Sequence, residues 1–219
     1  MSSNNFKFEL FSQFARIGKA LSNAYRLEII EFLAQGERNV EELAMLSGLS
    51  IANTSQHLQQ LKQAGLVIAN KKGQYVYYQL SRDEVIDLFI ALRNVAEQTL
   101  AEVNKLVDTF LTVKDNLEPI PAEELLMRAR QGLVTVLDVR PPEEFKAGHL
   151  PQAINIPLKN LENLWEILPK DKEIIAYCRG AYCILSYQAV AQLREQGFEA
   201  YRLENGFPEW KQAGLPIEQ

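Results

Sequence analysis

The chain has 219 residues, 23 Lys and Arg against 28 Asp and Glu for a net charge of −5, 47% hydrophobic residues and 23% charged ones. That balance fits a soluble globular protein with room for one large domain or two ordinary ones. No apolar run approaches the roughly 20 residues needed to cross a bilayer, and Met1 to Asn5 lacks a basic-then-apolar signal layout.

The expectation is therefore a cytoplasmic protein with no membrane partner, in a compartment where thiols are mostly reduced. Its two cysteines, Cys178 and Cys183, then read as reactive rather than as a structural staple. No Cys and His residues have zinc-ligand spacing, so neither a metal nor a cofactor is expected. The negative total argues against a nucleic-acid binder, but it hides a distribution. Leu43 to Ser81 contains no Asp or Glu, yet holds Lys62, Lys71 and Lys72, with Arg82 next. A basic patch inside an acidic chain is an electrostatic footprint for phosphate.

In chain order, Phe6 to Leu21 places Phe8, Phe11, Phe14, Ala15 and Ile17 at helical spacing. Ser22 is expected to cap a second helix that ends at Gly36. Asn39 with Glu42 three residues on reads as a capping box, opening a short helix that stops at Gly48. Ser50 then caps a helix to about Ala64, so two helices meet at a glycine turn, as in a helix-turn-helix. Thr54, Leu58 and Leu61 share its inward face, and Asn53, Gln56, Gln59, Gln60 and Gln63 lie outward. Amide side chains read adenine edges, and no acid on this face would repel phosphate. An ordinary solvated polar face is the alternative. Leu66–Ala69 and Tyr75–Leu80 read as strands, with Asn70 to Gln74 as a basic turn carrying Lys71 and Lys72. Such a hairpin makes a wing able to reach phosphates.

These segments resemble the ArsR-type winged helix-turn-helix repressors. The resemblance rests on Leu21-Ser22-Asn23-Ala24-Tyr25-Arg26-Leu27, on Glu42-Leu43-Ala44, on Ser55 through Val67 and on the wing, over about residues 10 to 85. It implies a homodimer bound to a palindromic double-stranded operator. It also implies DNA contacts from Ser50, Asn53, Ser55, Gln56 and His57, with Gln59, Lys62, Lys71 and Lys72 beside them. Many relatives carry a Cys-x-Cys metal site in the third helix. Here that helix has no cysteine, which excludes a thiolate site, and His57 is the one histidine at hand for any other.

Asp83 to about Asn116 reads as one long helix with an apolar stripe from Val85 to Leu111, more than a small domain needs to cover itself. Together with the first helix, it is the expected dimer element. Asn116 to Pro121 is a proline-stiffened junction, giving expected domains 1–116 and 117–219. After a helix from Ala122 to Arg130, strand-like runs at Val134–Leu137 and Glu173–Tyr177 alternate with helical ones, so the second half reads as α/β with a mainly parallel sheet. Cys178 closes one such strand, and the loop Cys178-Arg179-Gly180-Ala181-Tyr182-Cys183 opens onto the helix from Ile184. Loop amides, a helix N-terminus and Arg179 would each favour a thiolate there. Two buried, unreactive cysteines are the other reading.

The second half resembles a rhodanese domain. The residues that carry this are Asp138-Val139-Arg140, Glu144-Phe145, Gly148 through Pro157, the Cys178 loop, and the tail with Gly206-Phe207, Trp210 and Gly214-Leu215-Pro216. The resemblance implies that Cys178 takes a sulfane sulfur from a donor as a persulfide and passes it to a thiol acceptor. Asp138 and Arg140 would be a supporting ion pair. Ala181 and Cys183 stand where many members have Gly and Arg, which speaks against turnover of anionic thiosulfate, and Ile184 departs from the phosphatase Cys-x5-Arg signature. Cys183 either resolves a modified Cys178 as a disulfide or packs beneath the loop. The whole reads as a dimeric transcription regulator that senses or handles reactive sulfur, with a working sulfurtransferase as the alternative.

Overall fold

The computed structural model describes residues 3–112 and 118–219. They form two compact units that divide between Ala91 and Leu92. The expected boundary at 116/117 lies outside the described residues.

The first unit runs α1 (Ser3–Leu21), α2 (Ala24–Ala34), β1 (Arg38–Asn39), α3 (Val40–Ser47), α4 (Ile51–Gln63), β2 (Val67–Lys72), β3 (Tyr75–Leu80) and the start of α5 (Glu84–Thr99). Its caps follow from local chemistry. The Asn39 side chain accepts from the Glu42 amide, and the Glu42 carboxylate accepts from the Asn39 amide, so two orphan donors are satisfied at once. Gly48 takes the left-handed conformation that ends α3 and aims the chain into α4. The α2 cap is Asn23 rather than Ser22: Asn23 is extended and accepts from the Arg26 amide, whereas the Ser22 hydroxyl donates back to the Lys19 carbonyl. Ile29, Ile30, Leu43, Leu58, Leu61 and Val85 build the core.

The wing is a three-stranded antiparallel sheet in the order β1-β3-β2. Strand pairing runs to Lys72↔Tyr75, leaving a two-residue turn at Gly73-Gln74. Gly73 has φ 62°, and a positive φ at the first central position gives a turn whose twist matches the strands. Lys71 and Lys72 are therefore strand residues, not turn residues as the sequence suggested.

The helix expected from Asp83 to Asn116 is interrupted. Leu100 is extended (φ −107°, ψ 104°), separating α5 from α6 (Ala101–Val107), and Asp108–Thr112 is a π-helical turn. The Asn104 side chain donates to the Glu97 carbonyl, replacing a ladder bond that the break removes.

The rest of the second unit runs α7 (Ala122–Arg130), β4 (Val134–Asp138), α8 (Pro142–Ala147), β5 (Ile154–Asn155), α9 (Leu161–Leu164), β6 (Glu173–Tyr177), α10 (Ile184–Glu195), β7 (Ala200–Arg202) and α11 (Phe207–Gln212). The four described strands are all parallel, in the order β5-β4-β6-β7. Residues alternate between two apolar layers as a strand must. Ile174, Ala176 and Cys178 face the layer with Ala189, Val190 and Leu193 of α10. Ile175 and Tyr177 face the opposite one, with Leu125 of α7 and Trp210 of α11. Among the described residues no helix is long and apolar enough to cross a membrane.

Candidate functional site

Two regions carry the expected site residues, one in each unit. In the first unit they cluster on α4. The Ser50 hydroxyl accepts from the Asn53 amide at 3.3 Å, fixing the helix start. Thr54, Leu58 and Leu61 are fully buried. That anchors the helix by one face and leaves Asn53, Gln56, Gln59 and Lys62 exposed, with Ser55 and His57 half-buried. Gln60 shares the polar face, but its Oε1 accepts from Arg26 Nη1 at 2.6 Å, so that carbonyl is already engaged.

The His57 ring lies 5.9 Å from that of Tyr25. Burial first, and the Arg26 charge second, push its pKa below the ordinary 6.5. His57 is thus a neutral imidazole at pH 7, suited to a hydrogen bond rather than to charge pairing. On the wing, Lys71 is exposed, and Lys72 pairs with Glu37 of the turn before β1. The Lys72 and Glu37 side chains are 55% and 35% exposed, so their pair contributes about 0–1 kcal/mol and yields readily to a phosphate.

In the second unit, Cys178 directly follows β6 and Cys183 is the N-cap of α10. The two are joined as a disulfide with Cα atoms 6.2 Å apart. Cys178 is 1% exposed. The loop between them is braced from several sides. The Cys183 amide donates to the Gly180 carbonyl (3.1 Å), and the Phe207 amide donates to the Cys178 carbonyl (3.1 Å). The Tyr187 hydroxyl donates to the Ala181 carbonyl (3.3 Å). Gly206 presses so closely behind the loop that a Cβ there would lie 2.5 Å from the Arg179 carbonyl oxygen.

Arg179 does not project a free charge toward the sulfur. Its Nε lies 3.0–3.1 Å from both oxygens of the fully buried Glu144 carboxylate, and its Nη2 lies 2.8 Å from one of them. The guanidinium thus ties the loop to α8. Tyr182 is 37% exposed; burial, then a hydrogen bond to Glu97, push its hydroxyl pKa up. Within the same unit Arg93 pairs with Glu97 (3.3 Å) and with Glu209 of α11 (2.6 Å).

Asp138 and Arg140 lie at the carboxyl end of β4, fully buried. Arg140 Nη2 meets Asp138 Oδ2 at 2.7 Å and the Gly148 carbonyl at 2.8 Å, and its guanidinium stacks 4.4 Å from the Phe207 ring centre. Burial opposes the Arg140 charge, and the bond and charge of Asp138 more than restore it. The Tyr177 hydroxyl donates to Asp138 and accepts from the Leu150 amide (3.1 Å). The pair therefore forms part of the floor that sets the strand ends in place.

Two family descriptions match the chain: bacterial regulatory protein, arsR family, over residues 24–69, and rhodanese-like domain over residues 121–213. The HTH-type transcriptional regulator Rv0324 of Mycobacterium tuberculosis is 44% identical over 213 residues, spanning 97% of this chain and 93% of its own. The chain belongs to the ArsR family of bacterial regulatory proteins, in the form that carries a rhodanese-like domain. A protein of Allochromatium vinosum named sulfurtransferase is 35% identical over 85 residues, 38% of this ArsR-family chain and 78% of that protein. Among solved structures, the homodimeric winged helix-turn-helix DNA-binding domain of Mb0332 from Mycobacterium bovis is 41% identical, with a TM-score of 0.43. It covers 47% of this chain and 93% of its own.

Sequence reasoning on this ArsR-family chain missed the roles of Glu144, Tyr177, Gly206 and Arg26. Glu144 is 35 positions from Arg179, and no local spacing links them. The one available signal is that a buried helix carboxylate next to a strand-end loop needs a cation.

Proposed function

We propose that this protein is a homodimeric, DNA-binding transcription regulator of the cytoplasm whose Cys178–Cys183 pair switches operator affinity in response to reactive sulfur. The observation that carries the proposal is the pairing of the two cysteines on one short loop, in the same chain as an exposed amide-bearing helix of the ArsR type. Asn53, Gln56 and Gln59 would contact bases, with Ser50, Ser55 and His57 beside them, and Lys62, Lys71 and Lys72 would contact phosphates. Exposed Phe6, Phe8, Phe11 and Phe14 on α1, and Leu88, Leu92 and Val95 on α5, are apolar side chains that a second copy would cover. The winged helix-turn-helix domain of Mb0332 is itself homodimeric, which supports this reading.

The chemistry needs no reagent beyond a sulfane-sulfur donor. The Cys178 thiolate attacks a terminal sulfur of a polysulfide; that S–S bond breaks and the shortened polysulfide leaves as the anion. The persulfide on Cys178 is then attacked at Sγ by the Cys183 thiolate. The outer sulfur leaves as hydrosulfide, and the disulfide remains. The donor is reduced and the two thiols are oxidised. Closing the disulfide fixes Tyr182 between its ends, and Tyr182 is held by Glu97 on α5. Since α5 also supplies Val85 and Phe89 to the winged-helix core, a change at the loop would pass along this helix.

A second reading, steady sulfur transfer to a thiol acceptor, draws on the family of the second unit. It is weakened by the commitment of Arg179 to Glu144, which leaves the loop without an unpaired cation for thiosulfate. The deciding experiment is fluorescence anisotropy with duplex DNA from upstream of the protein's own gene, at fixed salt. The protein is reduced or polysulfide-treated, with Cys178→Ser as control. A tenfold change in affinity, about 1.4 kcal/mol, absent in Cys178→Ser, is expected. Unchanged affinity, with the modification verified by mass spectrometry, would reject the switch.

A further inference from the structure

The first unit holds an open cleft of about 460 Å³ where α1, the start of α2 and the end of α4 converge. Arg16, Lys19, Arg26, Gln60 and Gln63 line it, three cations with no carboxylate among the lining residues. Arg16 and Lys19 are exposed, but Arg26 is only 8% exposed. Its guanidinium donates to the carbonyls of Ala20 and Lys19 and to the Gln60 amide oxygen, and all three acceptors are neutral. Arg140, buried in the second unit, is built differently: its guanidinium sits on the Asp138 carboxylate.

A buried charge without a counter-charge is costly. Two helix C-termini supply part of the compensation. Arg26 takes carbonyls from the last turn of α1, and Arg16 Nη2 takes the Gln63 carbonyl at the end of α4 (3.4 Å). Each terminus carries about half a negative charge. Against three full positive charges that leaves about two uncompensated. The same field reaches His57, where the Arg26 charge adds to burial in disfavouring protonation.

We propose that this cleft binds a tetrahedral oxyanion, a phosphate or sulfate group, that completes the charge balance of Arg26 with Arg16 and Lys19 closing over it. The cleft is larger than one such ion, so the group is either free in solution or carried on a larger molecule, the backbone of duplex DNA included.

Thermal unfolding of the full-length protein in rising sodium sulfate, against sodium chloride at matched ionic strength, tests the site. A saturable rise in Tm with sulfate is expected, lost in the Arg16→Gln/Lys19→Gln double variant. Those two exposed residues leave the buried Arg26 and its three hydrogen bonds intact, so the test does not depend on a folded Arg26 variant. The source is separated by duplex binding across a salt series. If the backbone supplies the group, the double variant lowers the slope of log K against log salt by about 1 to 2. If the group is free, that slope is unchanged while the sulfate effect disappears. A sulfate effect equal in both proteins, together with an unaltered slope, overturns the site.

Discussion

Gly206→Ala is the sharpest probe of how the cysteine loop is held. The added Cβ would lie 2.5 Å from the Arg179 carbonyl oxygen, about 0.9 Å inside the 3.4 Å at which ordinary contact begins. The opposing atoms are backbone, pinned by the Phe207-to-Cys178 and Cys183-to-Gly180 hydrogen bonds, so no side chain can swing away. Nor is dihedral strain involved, since Gly206 sits at φ −107°. Overpacking of this kind costs about 1–3 kcal/mol, and about 2 kcal/mol lowers Tm by roughly 7 °C in a unit of this size. A loop displaced by about 1 Å also loses reactivity, of the order of a hundredfold where geometry controls the rate. The assay pairs thermal unfolding with the rate at which polysulfide modifies Cys178, followed by mass spectrometry. Gly18→Ala is the control, because no atom lies within 4 Å of its Cβ position. Wild-type Tm and wild-type modification rate in Gly206→Ala would refute the view that this glycine is the back wall of the loop.

Glu144→Gln leaves the Arg179 guanidinium, with its side chain only 13% exposed, facing an amide. Losing one member of a buried pair costs about 3–5 kcal/mol, and partial exposure of Arg179 reduces that to about 2–3 in urea unfolding. On the DNA side, Asn53→Ala or Gln56→Ala should weaken operator binding by about 1–3 kcal/mol with an unchanged salt slope, whereas Lys71→Ala should lower the slope by about 1 in the same titration. His57 gives a pH prediction. Its folded pKa lies below 6.5, so the unfolded chain binds more protons in the window between the two values. Stability therefore falls as pH drops from about 6.5 through the folded pKa. His57→Gln should flatten that decline in pH-dependent unfolding of the first unit; an unchanged profile would mean His57 does not titrate as described.

Much of the first unit could be read directly. Asn39 with Glu42, Gly48 and Ser50 are local signals, and each does locally what its chemistry requires. The α2 cap was off by one because Ser22 and Asn23 are both good caps, and only the backbone angles separate them. The break at Leu100 left no trace, since no Gly or Pro marks it and the apolar period runs straight through. In the second unit, the placement of Cys178 follows from an apolar run ending at a helical one. What surrounds it does not. The Arg179–Glu144 pair and the Gly206–Arg179 wall join residues 35 and 27 positions apart, contacts that exist only once the parallel sheet has gathered its loops at one edge. For that reason the sequence marks Arg179 as a charge beside the thiol without revealing Glu144 as its partner.

The depth of Cys178 also sets a size limit. At 1% exposure, with its sulfur joined to that of Cys183, it is reached only after Cys183 lets go. A chain of two or three sulfur atoms needs only that one side chain to turn aside. A thiol on a folded protein would need the whole loop to lift from Phe207 and Gly206. For the sulfur switch proposed above, the loop would therefore sort reagents by bulk before reactivity and favour small dissolved species over protein partners.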